Sequence, residues 1–133
     1  SGFYFMSKIL IVDDEQFVIM GLQRAIKVTA PDLQVTFTDS AHKALEILAN
    51  DCYDIIVSDM FMPEMNGIEL LAIVKDRFPD VIRIILSGYY ENVIEPEKQK
   101  IVDQFIAKPV SNSDFIRIIR SHIANRKGIM ETV

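Results

Sequence analysis

The chain has 133 residues, half of them hydrophobic and a quarter charged, which fits one globular domain with an ordinary core. Its formal charge of −5 argues against direct nucleic-acid binding, and its single cysteine, Cys52, excludes a disulfide framework or a cysteine metal cluster. No apolar run approaches the ~18–20 residues of a membrane span, so a reduced, cytoplasmic setting without membrane contact is expected.

Residues 1–5 have neither a basic n-region nor an apolar segment of useful length, so no signal peptide is expected. Met6 reads as a natural start, and 1–6 as a cloning remnant or disordered start ahead of a domain over 7–126. The first β-rich run is Lys8–Val12. Val18, Leu22, Ala25 and Ile26 then recur at helical spacing until Ala30-Pro31-Asp32 stops the helix. Residues 33–38 alternate, with Val35 and Phe37 on one face, as an edge strand does. Asp39 or Ser40 can cap a second helix whose inner stripe is Ala41, Ala44, Leu45 and Leu48.

A third strand spans 54–58, and Gly67, Leu70, Leu71 and Val74 mark a third helix that stops near Phe78-Pro79-Asp80. The continuous apolar character of 81–86 implies a fourth strand buried on both faces. Within 89–100, Pro96 forbids an uninterrupted helix but allows a short one starting there. Residues 104–107 form the fifth strand, and Ser111 or Ser113 caps a last helix carrying Phe115, Ile116, Ile119 and Ile123. Residues 127–133 read as a frayed tail or linker start. Five β–α units with single-helix crossovers imply a parallel sheet covered on both faces.

Polar residues gather where the strands end. Asp13-Asp14 follow the first strand, Asp59 the third, Ser87 the fourth and Lys108 the fifth. Ligands bind at that rim in open α/β sheets. An acidic pair, a carboxylate, a hydroxyl and an ammonium suit metal-assisted phosphoryl chemistry. Other chemistry-bearing types read as structural: His42 and His122 as surface or packing histidines away from the rim, Cys52 as a small packing residue, and Met60, Met62 and Met65 as loop and core packing.

Ile11-Val12-Asp13-Asp14-Glu15, Asp59-Met60-Phe61-Met62-Pro63 with Gly67, Ser87-Gly88 and Phe105-Ile106-Ala107-Lys108-Pro109 appear in one order, each after an expected strand. In these motifs the chain resembles a response-regulator receiver domain, the phosphoacceptor of two-component signalling. The resemblance implies a flavodoxin-like sheet of order 2-1-3-4-5. It also implies phosphoryl transfer onto Asp59 from a histidine kinase or phosphotransfer protein, and no enzymatic activity beyond self-phosphorylation from small donors and self-dephosphorylation.

By the same resemblance, Asp14, Asp59 and the Phe61 carbonyl would bind Mg²⁺ (or Mn²⁺) directly and Asp13 through a water. Lys108, Ser87 and the backbone N–H groups of Met60 and Gly88 would hold the phosphoryl oxygens, and the Lys108–Pro109 bond would be cis. Phe105 would be the switch residue. The readout surface would span 92–123, facing an output domain or downstream protein, with a phosphorylation-dependent homodimer as one possible form.

Several positions depart from the family's pattern. Ser87 replaces the commoner Thr, and Phe105 the commoner Tyr, with loss of its hydroxyl. Residues 95–100 lack the usual small-residue pattern, so a short or displaced fourth helix is expected. Phe61 and Tyr89 put aromatics beside the site, which implies shielding of the acyl phosphate and slow hydrolysis. Alternative readings are a pseudo-receiver used only for protein contacts, a haloacid-dehalogenase-type phosphohydrolase, and a flavodoxin-like electron carrier. Phe61 stands where the hydrolases place a second aspartate, no hydroxyl-rich phosphate loop follows the first strand, and every acidic, hydroxyl and lysine position of the receiver pattern is filled.

Overall fold

The structure, a computed structural model, describes residues 7–88 and 95–131. Strands β1 (Lys8–Val12), β2 (Gln34–Thr38), β3 (Ile55–Asp59), β4 (Ile82–Ser87) and β5 (Gln104–Ala107) alternate with helices α1 (Gln16–Thr29), α2 (Ala41–Asn50), α3 (Gly67–Arg77), α4 (Pro96–Gln99) and α5 (Asn112–Glu131). The strands form one parallel sheet in the order β2-β1-β3-β4-β5, the expected topology. Because β1 pairs with β2 on one side and β3 on the other, the chain reverses its direction of growth there. A crevice opens at such a switch point beyond the carboxyl ends of the strands.

Strand side chains alternate between two apolar layers. Ile9, Ile11, Ile55, Val57, Ile84 and Leu86 face one side, under Leu22 and Ile26 of α1 and Phe115 and Ile119 of α5. Leu10, Val12, Ile56 and Ile85 face the other, against Ala44 and Leu48 of α2 and Leu70, Leu71 and Val74 of α3. Burial of each such branched side chain contributes roughly 1.5–3 kcal/mol, which fixes strand register, since a slip by one residue would exchange the layers.

Ser40 caps α2, its hydroxyl accepting from the Lys43 N–H. Asn66 and Glu69 form a reciprocal capping box at the start of α3. Ser111 accepts from the Asp114 N–H at the start of α5. As Pro96 suggests, α4 is a single short turn.

Two expectations need correction. Val18 is 41% exposed, and the buried residues of α1 begin at Leu22. Cys52 is exposed just beyond the end of α2, where Tyr53 rather than the thiol turns toward the core. Helix α5 runs on to Glu131, into the segment 127–133 read as a tail or linker start. Tyr89 and the first part of the 92–123 surface lie outside the described residues.

The rim opposite the crevice is tied by charges. The Lys8 ammonium pairs with Asp51 and lies 4.9 Å from the centre of the Tyr53 ring. Buried Arg83 donates to the carbonyls of Pro79, Val81 and Ile101, while its N–H donates to Asp103. One guanidinium therefore closes the turns on both sides of β4 and fixes the start of β5.

Candidate functional site: acidic residues and a lysine at the switch point

Four expected site residues meet beyond the ends of β1, β3 and β5. Asp59 closes β3 with its side chain 9% exposed, and Lys108 leaves β5 and places Nζ 3.0 Å from Asp59 Oδ1. The same ammonium lies 4.0 Å from Asp13 Oδ2 and 3.8 Å from Glu15 Oε1. Carboxylate oxygens of Asp13, Asp14 and Asp59 fall within 4.8 Å of one another. The Lys108–Pro109 bond is cis, as expected.

Asp13 is the least solvated of the set, at 1% exposure. Its Oδ1 accepts the Glu15 N–H at 2.8 Å. Its Oδ2 is buried and has no hydrogen-bond partner among the described residues. Burial raises its pKa above the ordinary carboxylate value of 3.8, and the charges of Asp59 and Glu15 add to the rise, while the Glu15 N–H and Lys108 oppose it. Burial alone would lower the Lys108 pKa. The hydrogen bond to Asp59, reinforced by the charges of Asp59, Asp13 and Glu15, outweighs burial and holds it above 10.5, so the ammonium stays charged at neutral pH.

Hard oxygens clustered around an orphaned carboxylate oxygen suit a small divalent cation. Carboxylate oxygens from three side chains within 4.8 Å of one another would offer such a cation a shared set of hard ligands, with waters filling the rest. Asp13, Asp14, Asp59 and the Phe61 carbonyl are the groups available to it.

The fold holds Asp59 tightly. Ser58 Oγ donates to the Asp59 carbonyl at 2.9 Å. Gly67 packs under the same carbonyl: a Cβ there would lie 2.4 Å from Asp59 O and 2.7 Å from Ile85 Cδ1. Ser87 is fully buried, and its carbonyl accepts the Lys108 N–H at 2.8 Å, which joins the hydroxyl and lysine positions across β4 and β5. Gly88 follows it at the strand end. Phe105 is half-buried against the layer containing α3.

Met60 departs from expectation. Its N–H donates to the Leu86 carbonyl at 3.0 Å, extending the β3–β4 ladder, and is not available to a ligand. The next donor, the Phe61 N–H, has no partner among the described residues, and the Phe61 ring is 66% exposed. Met60 itself is buried, with Met62 and Met65 half-buried beside it, as expected of packing residues.

His42 also differs, lying at the crevice end of the sheet with Nε2 3.4 Å from Glu64 Oε2 in the loop after Asp59. His122 is remote, bonded to Gln104 at the start of β5. Sequence reasoning missed Glu15 as a neighbour of Lys108 and Glu64 as a neighbour of α2. The only signal for Glu15 was its place beside the acidic pair.

Fold and rim together define a flavodoxin-like α/β domain of the receiver class. The chain belongs to the response regulator receiver domain family, whose sequence profile matches residues 9–120. That family is a signalling module of two-component systems. The chain is 35% identical over 119 residues to the two-component response regulator ORR5 of Oryza sativa subsp. japonica, covering 83% of this chain and 84% of that one. It is 30% identical over 117 residues to the hydrogenase transcriptional regulatory protein HoxA of Cupriavidus necator, covering 86% of this chain but 24% of that regulator. The chain thus spans about a quarter of the length of that regulator and of several others like it.

Among solved structures, response regulator TrrA of Thermotoga maritima, in complex with Mg(2+)-BeF, superposes with a TM-score of 0.76 at 20% identity. The overlay covers 88% of this chain and 99% of that one, and it supports the fold. No helix among the described residues is long and apolar enough to cross a membrane.

Proposed function

We propose that this domain is a phosphoacceptor, with Asp59 receiving a phosphoryl group from a phosphohistidine of a histidine kinase or phosphotransfer protein in the cytoplasm. The observation that carries the reading is the buried Asp13 oxygen, without a hydrogen bond among the described residues, beside Asp14 and Asp59, with the Lys108 ammonium 3.0 Å from Asp59. An Asp59 carboxylate oxygen attacks phosphorus, the phosphorus–nitrogen bond breaks, and the imidazole leaves with the electron pair. Bound Mg²⁺ (or Mn²⁺), held by Asp14, Asp59 and the Phe61 carbonyl, with Asp13 acting through a water, would neutralise the charge building on the phosphoryl oxygens.

The chain's own groups do the rest. Lys108 leaves its contact with Asp59 for a phosphoryl oxygen, and Ser87 donates its hydroxyl to another. Phe61 and Gly88 supply backbone N–H groups, Phe61 taking the place first expected of Met60. Movement of Ser87 toward the phosphoryl group opens space for Phe105, which resets the surface formed by α4, β5 and α5. That surface would act on an output domain or downstream protein, or support a phosphorylation-dependent homodimer.

Incubation with a small phosphodonor and Mg²⁺ should give a base-labile adduct by intact mass, absent in Asp59→Asn. No adduct under any condition would favour a pseudo-receiver, and multiple turnover of a phosphomonoester would favour a hydrolase. The exposed Phe61 ring beside Asp59 is expected to slow hydrolysis of that adduct. Phe61→Asn should shorten its half-life several-fold, and an unchanged half-life would count against shielding.

A further inference from the structure

We propose that Glu64 is a positioning residue that ties the loop after Asp59 to the N-terminus of α2, and so holds the Phe61 backbone at the carboxylate cluster. This deepens the metal-binding reading above and rests on it. Ser40 Oγ donates to Glu64 Oε1 at 2.8 Å, and His42 Nε2 lies 3.4 Å from Glu64 Oε2. The same Ser40 hydroxyl accepts from the Lys43 N–H as the α2 cap. A carboxylate from one loop therefore sits at the positive end of another element's helix, through a charge-assisted hydrogen bond.

Loop 60–66 needs such a hold. At its ends the Met60 N–H is bonded to Leu86, and the Gly67 N–H donates to the Met60 carbonyl at 2.7 Å. Asn66 is fixed by its capping box with Glu69. Between these anchors Met62 and Met65 pack only partly, and Phe61 is mostly exposed. Glu64 supplies the polar anchor in mid-loop, three residues from the carbonyl and N–H that the site uses.

The test uses the whole chain, labelled with nitrogen-15. In metal-free protein, Glu64→Ala should lower the heteronuclear NOE of the amides over 61–65. By calorimetry without phosphodonor it should raise the Mg²⁺ dissociation constant about three- to tenfold, the worth of one ordinary hydrogen bond, because the Glu64 carboxylate is partly exposed and acts only through the loop. Glu64→Gln keeps an acceptor for Ser40 and should recover most of that loss. Both melts in EDTA should stay within about 2 °C of wild type, because the site is on the surface.

Unchanged amide NOE values in Glu64→Ala would overturn the tether. A loosened loop with unchanged Mg²⁺ affinity would overturn the positioning role. Wild-type protein that binds no Mg²⁺ would overturn the metal reading and the positioning role with it, while the metal-free amide data still report separately on the tether.

Discussion

Gly67→Ala is expected to destabilise the domain by about 2–3 kcal/mol, at the upper end of the usual cost of overpacking a filled site. The added methyl would lie 2.4 Å from the Asp59 carbonyl oxygen and 2.7 Å from Ile85 Cδ1. Ile85 is fully buried in the central sheet and has no room to retreat. The helix must move instead, which pulls the Gly67 N–H away from the Met60 carbonyl and shifts the strand end that presents Asp59. The urea midpoint should fall with little change in the slope of the transition. A midpoint within experimental error of wild type would mean that α3 is not seated against Asp59 as described.

Asp13→Asn should act in the opposite direction on the metal-free protein. The folded state raises the Asp13 pKa above its ordinary value of 3.8, so folding favours the protonated form. That contribution is fully present below the unfolded value and is lost as pH rises through the folded one. At neutral pH the ionised side chain is therefore a burden, with a buried oxygen that has no hydrogen-bond partner among the described residues. Asparagine keeps an acceptor for the Glu15 N–H and carries no charge. Removing the desolvated charge beside Asp59 and Glu15 should stabilise the metal-free domain at neutral pH by about 1–2 kcal/mol, the scale of one favourable substitution.

The advantage should shrink as pH falls toward the ordinary carboxylate value. Under the metal-binding reading, Mg²⁺ should raise the melting temperature of wild type more than that of the variant, which keeps the direct ligands Asp14 and Asp59 but lacks the Asp13 charge. Thermal melts at neutral and mildly acidic pH, each with EDTA and with Mg²⁺, check both halves. A variant no more stable than wild type in EDTA, or equally stabilised by Mg²⁺, would refute the account.

The strands were legible because their apolar residues leave few alternatives. Ile55, Ile56 and Val57 are fully buried on both faces of a parallel sheet, and a run of that kind reads the same in sequence as in structure. The rim acids were legible because each follows such a run. What sequence hid depends on direction and on distance along the chain. The Met60 N–H turns toward β4 because the ladder continues one residue past Asp59, and spacing carries no sign of that. Ser40 and Glu64 stand 24 residues apart on two loops that only the assembled sheet brings together. Val18 obeys the helical period of α1 yet is 41% exposed, since the buried residues of the helix begin at Leu22. Periodicity gives the phase of a helix and says nothing about where its support ends.

The bonds around Arg83 bear on how β5 behaves as a mechanical part. At its beginning the strand is pinned through Ile101 and Asp103, and just past its end by the Lys108 N–H on Ser87. Phe105 lies at mid-span of this edge strand, half-buried, with no further strand beyond it. A beam clamped at both supports and open along one side can let a single side chain change rotamer without peeling from the sheet. Motion there costs about as much as a rotamer exchange, far less than breaking a ladder of hydrogen bonds. Under the switching reading, a change at the rim would reach the outer face through that one rotamer, with the strand still paired to β4 along its length.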